Sequence, residues 1–410
     1  MAATFTIKME KIVYGGDCLS RLPDGRAVFV PFVLPGELVQ IELTEEKKRY
    51  AHAKPVELLE RSPDRIMPRC VHFGECGGCQ YQHLSYDKQC QLKEALVKDQ
   101  FERIGKLENI PLQPIIASPE PWYYRNHIQF HLSQAGELGY IHADGKHLLL
   151  IDECHLPQGQ ITALWPQINL GQDTHIYRMG IRIDTDKSLM LVLEGEEDEA
   201  PEFDVDIPIS AVYTPSEANL TVLAGEDHLV YTILGRPLQV SARSFFQVNT
   251  TMAEKMIQFL LENLDLTIKT NVLELYAGVG LFSAFIAPQV NTLTAIESAG
   301  SACHDFTVNL HHFDNVSLYE APVEEALPHT TRAIDLLIAD PPRAGLAPPV
   351  HDALGQIKPR QIAYISCDPA TLARDVKKIL QKGYNLISVT PFDLFPQTAH
   401  LETIVLLDRK

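Results

Sequence analysis

Cys367 is the first residue of this 410-residue chain that suggests chemistry. It follows the apolar stretch 362–365 and stands directly before Asp368 and Pro369, in a sharp turn that the proline enforces. Most buried cysteines only fill a core. The catalytic groups of open α/β sheets, however, lie where parallel strands end, and a thiolate at such a place is a nucleophile. We therefore predict that Cys367 is catalytic.

Glu402 is the second candidate, in the sequence His400-Leu401-Glu402 just before the last predicted strand. Alone it would be interpreted as a solvated acid at a strand edge, but it is predicted at the same end of the sheet as Cys367. A thiolate that adds to C6 of a pyrimidine makes C5 able to accept a methyl group, and a base must then remove the C5 proton. A cysteine paired with a carboxylate suits that covalent reaction.

A cofactor site is predicted at two further strand ends. The stretch 272–280 is an apolar strand that runs into a glycine-rich turn, and the strand 294–297 ends in Glu297. Glycine lets the backbone approach a ligand, and a carboxylate accepts hydrogen bonds from ribose hydroxyls. This pair alone would fit NAD or S-adenosylmethionine, but the absence of the full G-x-G-x-x-G pattern favours a methyltransferase. Tyr276 either packs in the core or forms a wall against the cofactor.

Two other residues are assigned to the same crevice. Asp340 follows the fourth predicted strand and is held by Pro341 and Pro342. It therefore points to the place where strand order reverses and ligands bind, although an acid there also caps helices. Gln247, in the stretch 245–249, has an amide that donates and accepts hydrogen bonds. It suits a cofactor carboxylate or a uracil edge.

Three cysteines are clustered in a glycine-rich segment. Cys70, Cys76 and Cys79 are close enough in the sequence to wrap one centre, and Cys154 is a candidate fourth ligand from a strand-rich region. Zinc and an iron–sulfur cluster both accept four thiolates, so the spacing leaves both open. Disulfides are not expected in a reducing cytosol. Structural roles are assigned to the other cysteines: Cys18, Cys90 and Cys303.

The elements that would position these residues change along the chain. Residues 1–60 form short alternating segments broken by Gly and Pro, typical of an OB-like barrel or an SH3-like module. Residues 61–244 combine the cysteine loop, a helical stretch and a second β-rich body. In residues 245–410, short apolar strands alternate with helices, which predicts a Rossmann-like, doubly wound α/β domain. We therefore expect three domains with these boundaries.

The charge of the chain is uneven. A formal net charge of −18 argues against a nucleic-acid partner. Residues 1–131, however, contain 17 Lys and Arg against 17 Asp and Glu, so the acidic excess lies in the rest of the chain and a local basic surface is compatible with it. No apolar run approaches the about 18 residues of a membrane helix. We expect a cytoplasmic monomer that does not bind membranes.

Together the motifs resemble those of one family. The matching sequences are FFQVN (245–249), ELYAGVG (274–280), DPPRAG (340–345), SCDP (366–369) and HLET (400–403). They are similar to those of RNA uracil-C5 methyltransferases that carry an N-terminal TRAM domain and an iron–sulfur cluster. The resemblance covers nearly the whole chain. It implies an RNA substrate and two cofactors, S-adenosylmethionine and a 4Fe–4S cluster.

The resemblance also implies roles for individual residues. Cys367 would be the nucleophile and Glu402 the base. The cofactor site would be lined by Gln247, Tyr276, Glu297 and Asp340. The iron ligands would be Cys70, Cys76, Cys79 and Cys154. The helical segment at about 84–116 would pack on the catalytic domain, although it precedes the central β-rich body.

The resemblance favours one substrate over several alternatives. Bacterial tRNA-specific relatives lack the TRAM domain and the cluster cysteines, which favours 23S ribosomal RNA, although archaeal enzymes for the tRNA T-loop carry both. Cytosine-C5 methylation uses the same thiol addition in contexts other than SCDP. Adenine-N6 methylation needs no cysteine, and Arg343 stands where those enzymes have an aromatic residue. An idle RNA-binding protein would need neither Cys367 nor Glu402.

Overall fold

A computed structural model of the protein describes residues 3–168, 170–171, 175–201, 207–215, 220–330 and 333–410. In these residues the strands form three large sheets and one hairpin. No helix in the same ranges is long and apolar enough to cross a membrane.

The N-terminal sheet has six strands within residues 3–60, all of which the structure describes. They are β1 (Thr4–Lys8), β2 (Lys11–Ile12), β3 (Cys18–Arg21), β4 (Ala27–Val30), β5 (Leu38–Glu46) and β6 (Tyr50–Glu60). Their order is β1-β5-β6-β4-β3-β2, with β4 and β6 parallel. In β5 the alternate residues Val39, Ile41 and Leu43 are buried, as in a half-buried strand. Tyr81 and Ala399 share this core, so the sheet packs onto later parts of the chain.

One long helix links the N-terminal sheet to the C-terminal one. α1 (Tyr86–Gln100) continues into a π-helical turn (Phe101–Gly105). Phe101 is fully buried in a core that it shares with the C-terminal sheet. Lys93 forms a fully buried ion pair with Asp393, with 2.6 Å between Nζ and Oδ1. The helix therefore packs on the C-terminal part of the chain, although it precedes the central sheet.

The central sheet has seven strands in the described part of residues 127–224. They are β7 (His127–Leu132), β8 (Leu138–Ile141), β9 (Leu148–Leu150), β10 (Ile176–Ile183), β11 (Leu189–Gly195), β12 (Ser210–Pro215) and β13 (Thr221–Ala224). Their order is β13-β12-β11-β10-β7-β8-β9, with β11 and β12 parallel. A short helix, α2 (Gly159–Leu164), and a 3-10 turn (Trp165–Gln167) pack against the sheet, where Phe130 stacks on Tyr140.

A hairpin follows the central sheet. Its strands β14 (His228–Ile233) and β15 (Arg236–Ser241) are antiparallel. Tyr231 and Leu238 are buried in a core that contains residues of the C-terminal sheet. The hairpin precedes the domain boundary predicted at residue 244, yet its apolar side chains pack with the domain that follows.

The C-terminal sheet has seven strands in the described residues. They are β16 (Asn271–Leu275), β17 (Thr292–Glu297), β18 (Val316–Glu320), β19 (Leu336–Ala339), β20 (Gln361–Ser366), β21 (Tyr384–Phe392) and β22 (Glu402–Arg409). The helices around it are α3 (Thr250–Asn263), α4 (Ser283–Ile286), α5 (Gly300–Leu310), α6 (Val323–Ala326), α7 (Pro348–Ile357) and α8 (Pro369–Leu380). Short 3-10 turns follow α4 (Ala287–Gln289) and α6 (Leu327–His329).

The strand order of this sheet determines where a ligand can bind. The order is β18-β17-β16-β19-β20-β22-β21, and β16 to β20 are parallel. The chain runs outward from β16 to β18 and then returns to β19, and such a reversal opens a crevice at the carboxyl ends of the strands. The arrangement agrees with the predicted doubly wound α/β sheet.

Candidate active site

Cys367 lies in the turn between β20 and α8, at the carboxyl edge of the C-terminal sheet. The Asp368 amide donates to Ser366 Oγ at 3.2 Å, and Asp368 Oδ1 accepts from the amides of Ala370 and Thr371 at 3.0 and 2.8 Å. Asp368 is therefore the N-cap of α8, which is why the chain turns sharply after Cys367. The thiol residue is only partly buried, so a substrate can approach it.

Glu402 is the first residue of β22, which is antiparallel to β20. Because Thr403 is paired with Ser366, Glu402 lies beside the turn that carries Cys367. Glu402 is buried, and its Oε2 has no hydrogen-bond partner among the residues that the structure describes. Burial, and after it the charge of Asp340, raises the pKa of Glu402 well above its usual value. A buried acceptor without a partner is costly unless a ligand supplies the missing contact.

Four ionisable groups interact at this edge. The pKa of the Cys367 thiol is raised to about 11, first by burial and then by the carboxylates of Glu402 and Asp340, whereas the guanidinium of Arg343 lowers it. Arg343 also lowers the pKa of Glu402. Cys367 and Glu402 are therefore within electrostatic reach of each other and of both Asp340 and Arg343. Sequence reasoning missed Arg343 as a site residue, although its place directly after the two prolines that hold Asp340 could have indicated it.

The turn after β16 has the backbone geometry of a ligand-binding loop. Tyr276, Gly278 and Gly280 have positive φ angles of 60°, 55° and 87°. A Cβ on Gly280 would overlap Leu310, so glycine is required there. A tyrosine is strained at positive φ, and such strain is concentrated at functional sites. The Tyr276 hydroxyl donates to Glu324 Oε1 at 3.0 Å, which holds the ring in place.

Glu297 ends β17 and is bound to this turn. Its Oε2 accepts from the amide of Gly278 at 2.9 Å. Its Oε1 accepts from the amides of Ser298 and Ala299 at 2.7 and 2.8 Å. A carboxylate has about four acceptor positions, so Oε2 can still accept from a ligand hydroxyl.

A buried acid that sequence reasoning missed lies between two predicted site residues. Glu274, near the end of β16, has its pKa raised to about 8, mainly by burial, and the charges of Asp340 and Glu297 also raise it. Its carboxyl group accepts from the Ser283 hydroxyl. Asp340 and Glu297 are thus both within electrostatic reach of one buried carboxyl group. The available sign was that Glu274 lies inside an apolar strand, four positions before the first glycine of the turn.

Gln247 lies in the segment between the hairpin strand β15 and helix α3. Its side chain is buried, and its Oε1 has no hydrogen-bond partner in the described ranges. Its backbone carbonyl accepts from Asn126 Nδ2 at 2.9 Å, which ties it to the central sheet. Among the described residues no hydrogen bond joins Gln247 to Tyr276, Glu297 or Asp340.

The four clustered cysteines line one cavity of about 620 Å³: Cys70, Cys76, Cys79 and Cys154. Burial raises the pKa of all four thiols, and Cys154 raises the pKa of each of the others. Arg125 lowers the pKa of three of them, so its guanidinium lies near the cavity. Within the described ranges, no group of three or more His, Cys, Asp or Glu side chains is arranged to hold a metal ion.

Comparison with known proteins places this architecture in a family. Residues 232–410 match the model of the tRNA (uracil-5-)-methyltransferase family, and residues 3–56 match that of the TRAM domain. A protein of Aquifex aeolicus described as an uncharacterized RNA methyltransferase is 34% identical over 98% of this chain and 98% of its own length. One of Thermosynechococcus vestitus, described in the same words, is 33% identical over 99% of this chain and 98% of its own. The chain belongs to the same family of RNA methyltransferases as these relatives.

This RNA methyltransferase also shares its fold with a solved structure. The tRNA (uracil-54, C5)-methyltransferase of Pyrococcus abyssi, solved in complex with S-adenosyl-L-homocysteine, is 24% identical, with a TM-score of 0.75 over 98% of this chain and 100% of its own. The predictions of an RNA methyltransferase, of an N-terminal TRAM domain and of a mixed α/β fold are confirmed. The iron–sulfur cluster and the roles of individual site residues stay predictions.

Proposed function

We propose that this RNA methyltransferase transfers a methyl group from S-adenosylmethionine to C5 of a uridine, with Cys367 as nucleophile and Glu402 as base. The observation that carries the proposal is the pairing of β20 with β22, because it puts the Glu402 carboxylate beside the Cys367 turn. Glu402 Oε2 is buried and unpartnered in the described ranges, as expected of a base that receives a substrate proton. The family match of residues 232–410 supports uridine as the target.

The proposed reaction has three steps. The Cys367 thiolate, whose proton has passed to solvent, bonds to C6, and the C5=C6 electron pair moves onto O4. S-adenosylmethionine supplies the methyl group from its sulfonium and is left as a neutral thioether. C5 takes the methyl group as the electron pair returns from O4. Glu402 then accepts the C5 proton, the C5=C6 bond forms again and the thiolate leaves, so that one hydrogen is replaced by methyl and one proton is released.

Burial and nearby charges shift the pKa of both proposed catalytic groups. Burial, and after it the carboxylates of Glu402 and Asp340, keeps the Cys367 thiol mostly protonated near neutral pH in the free enzyme, whereas Arg343 lowers its pKa. Burial, and after it the charge of Asp340, raises the pKa of Glu402, and a carboxylate with a raised pKa binds a proton more strongly.

The carboxyl edge of the sheet fits S-adenosylmethionine, which we propose is held by Gln247, Tyr276, Glu297 and Asp340. Glu297 Oε2 can accept from a ribose hydroxyl, and the unpartnered, buried Oε1 of Gln247 suits a donor such as an ammonium group. The positive φ angles of the glycine-rich turn allow its backbone to approach a ligand. The Pyrococcus abyssi enzyme of the same fold was solved with S-adenosyl-L-homocysteine.

Titration calorimetry tests the cofactor site. Glu297→Ala should raise the dissociation constant for S-adenosylmethionine about tenfold or more, because a hydrogen bond to a charged group contributes roughly 1.5–3 kcal/mol. Glu262→Ala, at an exposed position on α3, removes a carboxylate elsewhere and is the matched control. If the Glu297→Ala variant and the parent bind S-adenosylmethionine with equal affinity, Glu297 is not part of the cofactor site.

We propose that the cysteine cavity holds a 4Fe–4S cluster through Cys70, Cys76, Cys79 and Cys154. The support is that the four side chains line one cavity. A cluster keeps its four thiolate ligands apart by its own width, whereas zinc requires them to converge on one ion. The nearby Arg125 guanidinium would offset part of the negative charge of the thiolates. A cluster bound in this way would tie the loop 70–79 to the central sheet.

As substrate we propose a uridine of 23S ribosomal RNA, supported by the combination of a TRAM domain with the four clustered cysteines. A second candidate is the T-loop uridine of tRNA. One observation favours it, because the Pyrococcus abyssi enzyme, which shares the fold over 98% of this chain, is a tRNA (uracil-54, C5)-methyltransferase.

The experiment supplies the enzyme with methyl-labelled S-adenosylmethionine and, in separate reactions, with unmodified 23S ribosomal RNA or tRNA. Mass spectrometry of the digested nucleosides should find labelled 5-methyluridine in the 23S reaction and none with Cys367→Ala. Labelled 5-methyluridine in tRNA alone would support the T-loop uridine of tRNA as the substrate instead. Labelled 5-methylcytidine or N6-methyladenosine would refute uridine, and no labelled nucleoside in either RNA would refute the proposed reaction.

A further inference from the structure

The TRAM domain reaches the catalytic edge through the turn between β2 and β3. This turn carries Tyr14 and Gly16, and Gly16 has a φ of +102°. A Cβ on Gly16 would lie 2.8 Å from Cβ of Gln80 and 3.5 Å from Cβ of Ala399. Because Gly16 has no side chain, the turn can pack closely against Ala399, in the segment that leads to Glu402.

At the tip of this turn the Tyr14 hydroxyl donates to Asp368 Oδ2 at 3.1 Å. The other carboxylate oxygen of Asp368 caps α8, so both oxygens are engaged. Burial, and after it the charges of Asp368 and Cys367, raises the pKa of Tyr14, which keeps the hydroxyl protonated and able to donate. Arg343 lowers the same pKa. The phenol from the TRAM domain therefore lies within electrostatic reach of both the thiol and the guanidinium of the site.

We propose that Tyr14 is a positioning residue through which the TRAM domain fixes the turn that aims Cys367 at its substrate. The inference rests on the proposed role of Cys367. With both oxygens of Asp368 bonded, the residue after Cys367 has a single orientation, and loss of the Tyr14 bond would leave the carboxylate anchored only at the helix. Small displacements of a reacting atom reduce rates strongly. The TRAM domain would then contribute to the chemical step, in addition to any contact with RNA.

The test compares Tyr14→Phe with Tyr81→Phe. Tyr81 is fully buried in the core of the same sheet, and its hydroxyl has no hydrogen-bond partner among the described residues, so its replacement removes an equivalent group without breaking a bond. Methyl transfer is measured in single turnovers at saturating RNA and cofactor. Tyr14→Phe should lower the rate about tenfold, as expected for loss of one bond to a carboxylate, and leave the half-saturating RNA concentration unchanged. Tyr81→Phe should change neither quantity.

A double-mutant cycle separates this role from general destabilisation. Asp368→Asn keeps a good helix cap but removes the charge that Tyr14 binds. In the Asp368→Asn background Tyr14→Phe should have almost no further effect, because both changes act on the same bond. If Tyr14→Phe and Asp368→Asn lower the single-turnover rate independently, so that their fold-losses multiply in the double variant, the proposal is wrong.

Two other results would also overturn it. One is an unchanged single-turnover rate for Tyr14→Phe. The other is a raised half-saturating RNA concentration with an unchanged rate, which would make Tyr14 an RNA contact. Failure of the proposed function is recognised separately, because Cys367→Ala would then still methylate RNA whatever the behaviour of the Tyr14 variant.

Discussion

Replacement of Glu402 by Gln separates the two halves of the proposed reaction. Glutamine has nearly the same size and fits the buried start of β22, but its amide does not accept a proton near neutral pH. A general base contributes roughly 10²- to 10⁴-fold to a rate, so turnover should fall by that factor. Attack by Cys367 and transfer of the methyl group come before the base is needed. An adduct between the enzyme and methylated RNA should therefore accumulate.

The same variant should change the pH dependence of stability. Burial raises the pKa of Glu402, so the folded chain holds this proton at pH values where the unfolded chain releases it. The free energy of unfolding therefore falls as pH rises from the unfolded pKa to the folded one. Glu402→Gln removes this loss. Its melting temperature should exceed that of the parent at about pH 8 and be close to it at about pH 4, below the usual carboxylate pKa.

Denaturing electrophoresis with methyl-labelled cofactor measures the adduct. Glu402→Gln should give a labelled band of protein joined to RNA that survives denaturation, and Cys367→Ala should give neither this band nor product. Normal turnover by Glu402→Gln would refute the assignment of the base. Methylation by Cys367→Ala would refute the covalent mechanism, even though the fold stands.

Three further predictions concern the thiol, the cysteine cavity and a buried ion pair. The rate of Cys367 alkylation in the free enzyme should rise about tenfold per pH unit as pH increases towards the thiol pKa of about 11. Mass spectrometry of the Cys367 peptide measures this rate, and a plateau that begins below about pH 9 would contradict the prediction. Enzyme purified without oxygen should contain about four irons per chain, and Cys154→Ser should lose them; stoichiometric zinc without iron would exclude the cluster. Lys93→Met should lower the free energy of unfolding, measured with denaturant, by roughly 3–5 kcal/mol, because it leaves the fully buried Asp393 charge unpaired. The double variant Lys93→Met with Asp393→Leu should recover most of that stability. A double variant no more stable than Lys93→Met would show that the unpaired charge is not the cause.

Much of the catalytic edge could be predicted from local sequence patterns. Apolar strands alternating with helices indicate a parallel sheet; Glu297 ends such a strand, and Asp340 and Cys367 each follow one. Because β17, β16, β19 and β20 are parallel neighbours, their carboxyl ends meet at one edge. Glu402 comes to the same edge for a different reason, since it begins an antiparallel strand.

Other features depend on contacts between distant segments, which periodicity does not report. The helical stretch that contains α1 is recognisable, but its pattern does not say that Phe101 packs on the C-terminal sheet. The same holds for the hairpin that contains Tyr231. The bond between Tyr14 and Asp368 joins residues 354 positions apart, and nothing near either residue indicates the other. The spacing of apolar residues shows which face of a helix or strand is buried, but it does not identify the element that packs against that face.

Other distant contacts hold the irregular segment 393–401, which leads to the proposed base. A segment outside helices and strands needs partners for its polar groups from elsewhere in the chain. Lys93 on α1 binds Asp393 at its start, and Gln80 Oε1 accepts from the Ala399 amide at 3.0 Å near its end. Both partners lie outside residues 232–410, the range that matches the methyltransferase family model. The position of the Glu402 carboxylate therefore depends on the N-terminal third of the chain, and Gln80 and α1 are part of the framework of the catalytic edge.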